Sequence, residues 1–94
     1  MSETLKTLEV ALPFARPVSG TLTYNLILAG AAKNANCPAV GVAAKGFVCV
    51  YDTFDQDVSA GSAFPINGSG GGAQWTEVGG GFAMARGTFT VTAP

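Results

Sequence analysis

The stretch GFVCVYDTF, residues 46–54, carries the strand pattern around which the rest of the chain is organised. Successive side chains of a β-strand point to opposite faces of the sheet. One face of this stretch holds Phe47, Cys49 and Tyr51, and the other holds Val48 and Val50. Apolar side chains on both faces are typical of a strand that is covered on both sides, within the domain or by a partner. The stretch therefore predicts a central β-strand.

Clear alternation also appears on either side of this central strand. In TLTYNLIL, residues 21–28, apolar side chains alternate with Thr and Asn, and in GTFTVT, residues 87–92, they alternate with threonine. Shorter candidate strands cover residues 39–44, 63–66, 73–78 and 82–85, and turn-type residues separate the candidates at 30–36, 52–61, 68–72 and 79–81. Thirteen glycines and five prolines disfavour helix. The sequence predicts an all-β fold, a small single-domain β-barrel or sandwich of short antiparallel strands.

The first residues differ from this pattern. Pro13 and Pro17 force extended backbone around LPFARPVSG, residues 12–20. Apolar side chains alternate at Leu8, Val10, Leu12 and Phe14, but Leu5, Leu8 and Leu12 also have helical spacing, so the pattern does not decide between strand and helix. We predict an extended N-terminal arm over residues 1–17, joined to a β-domain over residues 18–94, with the four alternating side chains as an interface. The alternative is that the segment forms the first edge strand of the same domain.

Composition limits the classes of function. Ninety-four residues make one domain. Charged residues are 12% of the chain, against about 25% in an average protein. This low charge indicates that a partner or further copies of the chain cover much of the surface. Five basic and six acidic residues give a net charge of −1, which offers no electrostatic footprint for nucleic acid.

The sequence also bears on compartment. The N-terminal residues lack the pattern of a signal peptide, and the apolar run at residues 26–32 is too short to cross a bilayer. We therefore expect synthesis in a cytoplasm and no membrane partner. A reducing compartment disfavours disulfides, so Cys37 and Cys49 are predicted to be free thiols. The alternative is a disulfide between them, which their separation of twelve residues permits if the strands align.

Few residues could carry catalysis. The chain has no histidine, the general base of the common nucleophile systems and the commonest metal ligand. Asp52, Asp55 and Asp57 form a carboxylate cluster, whose spacing lacks the EF-hand pattern. We expect a solvated acidic turn there, with a calcium site as the alternative. The sequence predicts that the protein is not an enzyme, with no catalytic residue, no cofactor and no metal.

The stretch NGSGGGAQW, residues 67–75, combines a glycine run with the single tryptophan of the chain. The letters GSGGGA fit a dinucleotide fingerprint, but strand-like residues follow where that fingerprint needs a helix. We expect residues 68–72 to form an exposed, mobile hairpin tip. Trp75 would share a strand face with Glu77 and anchor a protein–protein contact at the rim. The alternative is a core tryptophan.

The order of elements from residue 40 onward resembles the small β-barrel cement or decoration proteins that coat tailed-phage capsids. The resemblance covers about residues 40–92 and is carried by VGVA at 40–43, GF at 46–47, VSAG at 58–61 and GFA at 81–83. It implies a non-enzymatic structural virion protein that binds and stabilises an assembled shell. The implied partners are the major capsid protein and further copies of this chain, often as trimers. The implied location is the capsid surface, after synthesis in the host cytoplasm.

Two alternatives to that function fit the same composition. One is another tail or virion structural component of a phage. The other is a small cytoplasmic β-barrel that binds a ligand.

Overall fold

A computed structural model of the protein describes residues 7–78 and 83–94. Within these residues the chain forms β-strands and no helix, which confirms the predicted all-β fold. The strands are β1 (Thr7–Pro13), β2 (Thr23–Ile27), β3 (Phe47–Gln56), β4 (Val58–Asn67), β5 (Gly70–Glu77) and β6 (Met84–Thr92).

The described strands form two sheets. One has the order β1-β5-β4 and is antiparallel, and the other has the order β2-β3-β6. The sequence predicted antiparallel strands, but β2 and β3 run parallel, from Thr23 opposite Phe47 to Ile27 opposite Tyr51. Parallel neighbours need a long crossover between them, and residues 28–46 provide it. We call residues 28–46 the connection.

The main core lies between the two sheets. It is built from the buried side chains Leu12, Val48, Val50, Ala73 and Trp75, with Tyr24 and Leu26 of β2 packed against it. On one side of this core β2 lies against β4. On the other side β1 and β6 face each other across a cavity that both strands line. The two sheets are therefore closed along one side and open along the other.

A second, smaller core lies on the opposite face of β3. Ile27, Cys37, Cys49 and Tyr51 are buried there under the connection. The Tyr51 hydroxyl donates a hydrogen bond to the Val42 carbonyl, and the Thr92 hydroxyl donates to the Ala43 carbonyl at 2.8 Å. The prediction that β3 is central and covered on both faces is confirmed.

The predicted strand at residues 39–44 is wrong, because these residues belong to the connection and form no strand. Gly41 has a φ of +86°, a left-handed conformation that interrupts extended backbone, and the Val42 N–H donates to the Ala39 carbonyl at 2.9 Å. Val40 and Val42 are consequently exposed. The acidic turn predicted at residues 52–61 is also much shorter, because β3 and β4 extend to either side of Asp57.

The prediction of free thiols is wrong as well. Cys37 of the connection forms a disulfide with Cys49 of β3, and their Cα atoms are 5.7 Å apart. The prediction rested on the redox compartment, which says nothing about where the crossover returns. The parallel β2–β3 pair requires the connection to pass over β3, and this passage brings Cys37 within bonding distance of Cys49.

The glycine run is not a mobile tip. Gly68 and Ser69 are exposed in the turn, but Gly70, Gly71 and Gly72 are buried and belong to β5. The chain needs glycine here because aromatic rings lie directly on the strand. A Cβ on Gly71 would overlap the Tyr24 ring, and a Cβ on Gly72 would lie 2.7 Å from the Phe64 ring. The Tyr24 ring is partly buried, and this burial raises the pKa of its phenol.

Part of the predicted N-terminal arm is an edge strand of the domain. Residues 7–13 form β1, paired with β5 from Thr7 opposite Thr76 to Pro13 opposite Gly70. After β1 the backbone follows the β4–β5 turn, since the Phe14 N–H donates to the Ser69 carbonyl at 3.0 Å. Residues 1–6 of the arm, and Phe82 of the predicted strand 82–85, lie outside the described residues. A contact between residues 1–17 and a neighbouring molecule stays a prediction.

Candidate functional site

A cavity lies between β1 and β6, and we call it the seam. Its volume is about 670 Å³. The walls come from β1 on one side and β6 on the other, and the floor comes from β3 and β5. Its lining is mainly apolar and includes Leu8, Val10, Leu12, Val50, Trp75 and Phe89. The lining also includes the polar residues Glu9, Asp52, Arg86 and Thr88.

The structure brings four of the five predicted interface residues together in this seam. Leu8, Val10 and Leu12 share one face of β1 because they are two residues apart, and Trp75 lies opposite Leu8 on β5. Phe14 does not line the seam. Its ring packs instead near the Phe89 ring of β6, at a centroid distance of 6.4 Å.

Val10 shows that the seam is uncovered. Leu12, on the same face of β1, is 5% exposed, whereas Val10 is 48% exposed although it also points between the sheets. A side chain on the inner face of a sandwich is normally covered by the opposing sheet. Val10 lacks that cover because β6 stands away from β1 across the seam.

Trp75 is a core residue and not an exposed rim anchor. Its side chain is 5% exposed and packs in the main core, as the alternative reading of the sequence held. Its indole Nε1 donates a hydrogen bond to Asp52 Oδ2 at 2.8 Å. The buried ring therefore has its one polar atom satisfied, as tryptophan in a core requires.

Asp52 and Asp55 reach the same face of β3 through a β-bulge. Three positions separate them, so regular alternation would put them on opposite faces. The register with β6 shifts between Asp52 and Phe54, so that Asp52 lies opposite Gly87 and Asp55 opposite Ala85. The extra residue of the bulge is Thr53. Gly87 is required opposite the bulge, since a Cβ there would overlap the Tyr51 carbonyl.

Burial perturbs the Asp52 carboxyl. Asp52 is 9% exposed, and its pKa is raised to about 7, chiefly because the carboxyl is removed from water. That value includes the Trp75 hydrogen bond, which lowers the pKa, and a hydrogen bond and the charge of Asp55, which raise it. The expectation of a solvated turn is therefore wrong for Asp52. It fits Asp57, which is exposed at the β3–β4 turn with a φ of +53°.

Asp55 is held by a different part of the chain. Its Oδ2 accepts a hydrogen bond from the Ala29 N–H at 3.2 Å, just after β2. Its Oδ1 is buried and has no hydrogen-bond partner among the described residues. The two carboxyls thus lie on one face of β3, each with one oxygen engaged by an N–H group, and Asp52 is the one that lines the seam.

The site offers two kinds of chemistry. Its apolar walls and strand edges can cover extended chain, and the Asp52 carboxyl, whose pKa is raised to about 7, can hold a proton near neutral pH. No group of three or more metal-ligating side chains occurs within residues 7–78 and 83–94. The part of the chain that the structure describes also contains no helix long and apolar enough to span a membrane.

Alternation in the sequence could have found Asp52, because it continues the face of Val48 and Val50. Nothing in the sequence marks the bulge that turns Asp55 to the same face.

Comparison with known proteins gave no match: no family model, no curated protein and no solved structure matches this chain.

Proposed function

We propose that the chain is a structural virion protein, a capsid decoration protein that binds and stabilises an assembled shell without catalysing a reaction. The observation that carries this proposal is the open seam. Among the described residues β1 pairs only with β5, and β6 pairs only with β3. Each of these strands therefore has an outer edge with unpaired backbone N–H and C=O groups, and such edges accept a further strand.

The lining of the seam favours a protein partner. Val10 is half exposed on an inner face, and a partner strand with apolar side chains at alternate positions would cover it. A shell of many identical subunits presents such a segment in many copies. Binding to the assembled shell and not to the free subunit would then stabilise the shell by mass action.

The disulfide supports the capsid surface as the location. Disulfides persist in oxidising surroundings, which include virion surfaces, and are rare in reducing cytosol. A chain made in a host cytoplasm and carried on a released particle meets both settings. The Cys37–Cys49 bond would form or persist on the particle, where it fixes the connection over β3.

The test compares two valines in their binding to empty shells. Val10 lies in the seam and is 48% exposed, and Val40 lies on the connection and is 52% exposed. Val10→Asp puts an unpaired charge into the buried contact, so we expect at least about tenfold weaker co-sedimentation. Val40→Asp should bind like the wild type. Equal binding of both variants would rule out the seam as the docking surface.

The genes next to the gene of this chain identify the protein from which the shells are made. The proposal predicts a major capsid protein gene beside the gene of this chain, and empty shells of that protein are the binding partner in the test. A neighbourhood without virion genes would contradict the proposal at its first step.

A small-molecule site is the second candidate function, because the volume and apolar lining of the seam also fit such sites. A ligand-binding domain would be a soluble monomer that binds an apolar fluorescent probe in a manner sensitive to Val10→Asp. It would not co-sediment with shells.

A further inference from the structure

We propose that Asp52 and Asp55 share a single proton at the bulge of β3, and that loss of this proton loosens the bulge and widens the seam. The proton is a property of the fold and is independent of the proposed function. Its effect on a partner docked in the seam rests on that function.

The first argument is the hydrogen bonding of the two carboxyls. Asp52 Oδ2 accepts from the Trp75 indole at 2.8 Å, and Asp55 Oδ2 accepts from the Ala29 N–H at 3.2 Å. Asp55 Oδ1 is buried without a partner among the described residues. The register shift puts Asp52 and Asp55 next to each other on one face of β3, opposite Gly87 and Ala85 of β6. Two carboxylates can only accept, so a hydrogen bond between them requires a proton on one.

The second argument is the charge around the pair. Glu9 of β1 and Arg86 of β6 line the same cavity, and Glu77 lies two residues beyond Trp75 on β5. The Arg86 guanidinium lies over the Phe54 ring, 5.8 Å from its centroid. Asp55 is the charged group that acts on Asp52, and like charges this close in a buried site do not both ionise readily.

The third argument is the position of the pair in the fold. Asp52 joins β3 to β5 through Trp75, and Asp55 joins β3 to the end of β2 through Ala29. Both carboxyls sit where the β3–β6 register shifts. Repulsion between two carboxylates would act on this irregular point of the ladder. The movement that relieves it displaces Asp52 from Trp75 and separates β6 from the floor of the seam.

The single tryptophan makes the test direct, because one indole N–H resonance reports on Asp52 alone. In a 15N-labelled sample titrated from pH 5 to 9, we expect the Trp75 Nε1–H resonance to shift with a midpoint near 7. Asp52→Asn should abolish the transition, and Asp55→Asn should lower its midpoint by about one unit or more. Asp57→Asn, at the exposed turn, is the matched control and should leave the midpoint unchanged.

An indole resonance that stays constant from pH 5 to 9 would overturn the proposal. So would a midpoint that Asp55→Asn leaves where the wild type has it. The 13C carboxyl shifts of the wild type test the sharing without any variant, because coupled carboxyls each respond to the titration of the other. Measuring shell binding at pH 6 and pH 8 distinguishes the shared proton from the proposed shell-binding function. An indole transition without shell binding supports the shared proton and rejects the proposed function.

Discussion

Substituting Gly71 by alanine tests whether the glycine run is a structural strand or a loose tip. Gly71 lies in the middle of the β1-β5-β4 sheet, between Leu12 and Pro65. A Cβ added there would overlap the Tyr24 ring and would lie 2.6 Å from the Phe64 carbonyl oxygen and 2.8 Å from the Tyr24 hydroxyl. The ring could rotate away, but the Phe64 carbonyl belongs to the neighbouring strand of the ladder and cannot.

The magnitude follows from this backbone obstacle. Overpacking a core costs about 1–3 kcal/mol and occasionally more. Since the obstacle is backbone, we expect Gly71→Ala to lower the free energy of unfolding by about 3 kcal/mol. For a domain of this size that loss corresponds to a fall in Tm of roughly 12–24 °C. Urea unfolding followed by Trp75 fluorescence measures the loss directly.

Gly68→Ala is the matched control for this measurement. Gly68 lies in the exposed β4–β5 turn, and the nearest atom to an added Cβ is the Val18 carbonyl oxygen at 3.3 Å. Its free energy of unfolding should change by less than about 1 kcal/mol. If the two variants unfold at the same urea concentration, the description of residues 70–72 as a packed strand is refuted.

The remaining predictions concern the disulfide, the core and the Asp52 carboxyl. Replacing Cys37 and Cys49 together by serine should lower the free energy of unfolding by about 3 kcal/mol in urea denaturation. Thiol labelling of the denatured, non-reduced wild type should modify neither cysteine, and labelling of both would contradict the bond. Trp75→Ala should cost about 3–5 kcal/mol, measured by calorimetry, because it empties the core and leaves buried Asp52 without its donor. A variant with an unchanged Tm would refute the core position. The pKa of Asp52 is raised from 3.8 to about 7 on folding, so the folded state holds the extra proton. The Asp52 carboxyl should therefore contribute stability that is fully present below about pH 4 and is lost as the pH rises through about 7, whereas Asp52→Asn should remove this contribution.

The seam connects two of these proposals, the docking of a partner and the binding of a proton by Asp52. The same face of β1 supplies a buried residue, Leu12, and a half-exposed residue, Val10. The floor of the seam contains Trp75 and Asp52. A partner strand in the seam would cover Val10 and further exclude water from Asp52. Docking and proton binding would then favour each other, since burial favours the neutral carboxyl.

The amino-acid sequence by itself determined the all-β class and the central position of β3. Alternation is a local property, because it depends only on the order of residues along the chain and not on the residues that become neighbours on folding. The apolar residues on both faces of 47–51 therefore predicted a covered strand correctly. The alternation of Leu8, Val10 and Leu12 likewise placed them on one face before their strand partner was known.

Only the tertiary structure decided which elements meet. The parallel β2–β3 pair sends the connection back over β3, and this return pairs Cys37 with Cys49. The need for glycine at residue 71 comes from Tyr24 and Phe64, which are distant in sequence. The carboxyl pair exists because one bulge turns Asp55 to the face of Asp52. Pairing, close approach and desolvation are properties of the neighbours a residue acquires on folding, and the local pattern of side chains does not contain them.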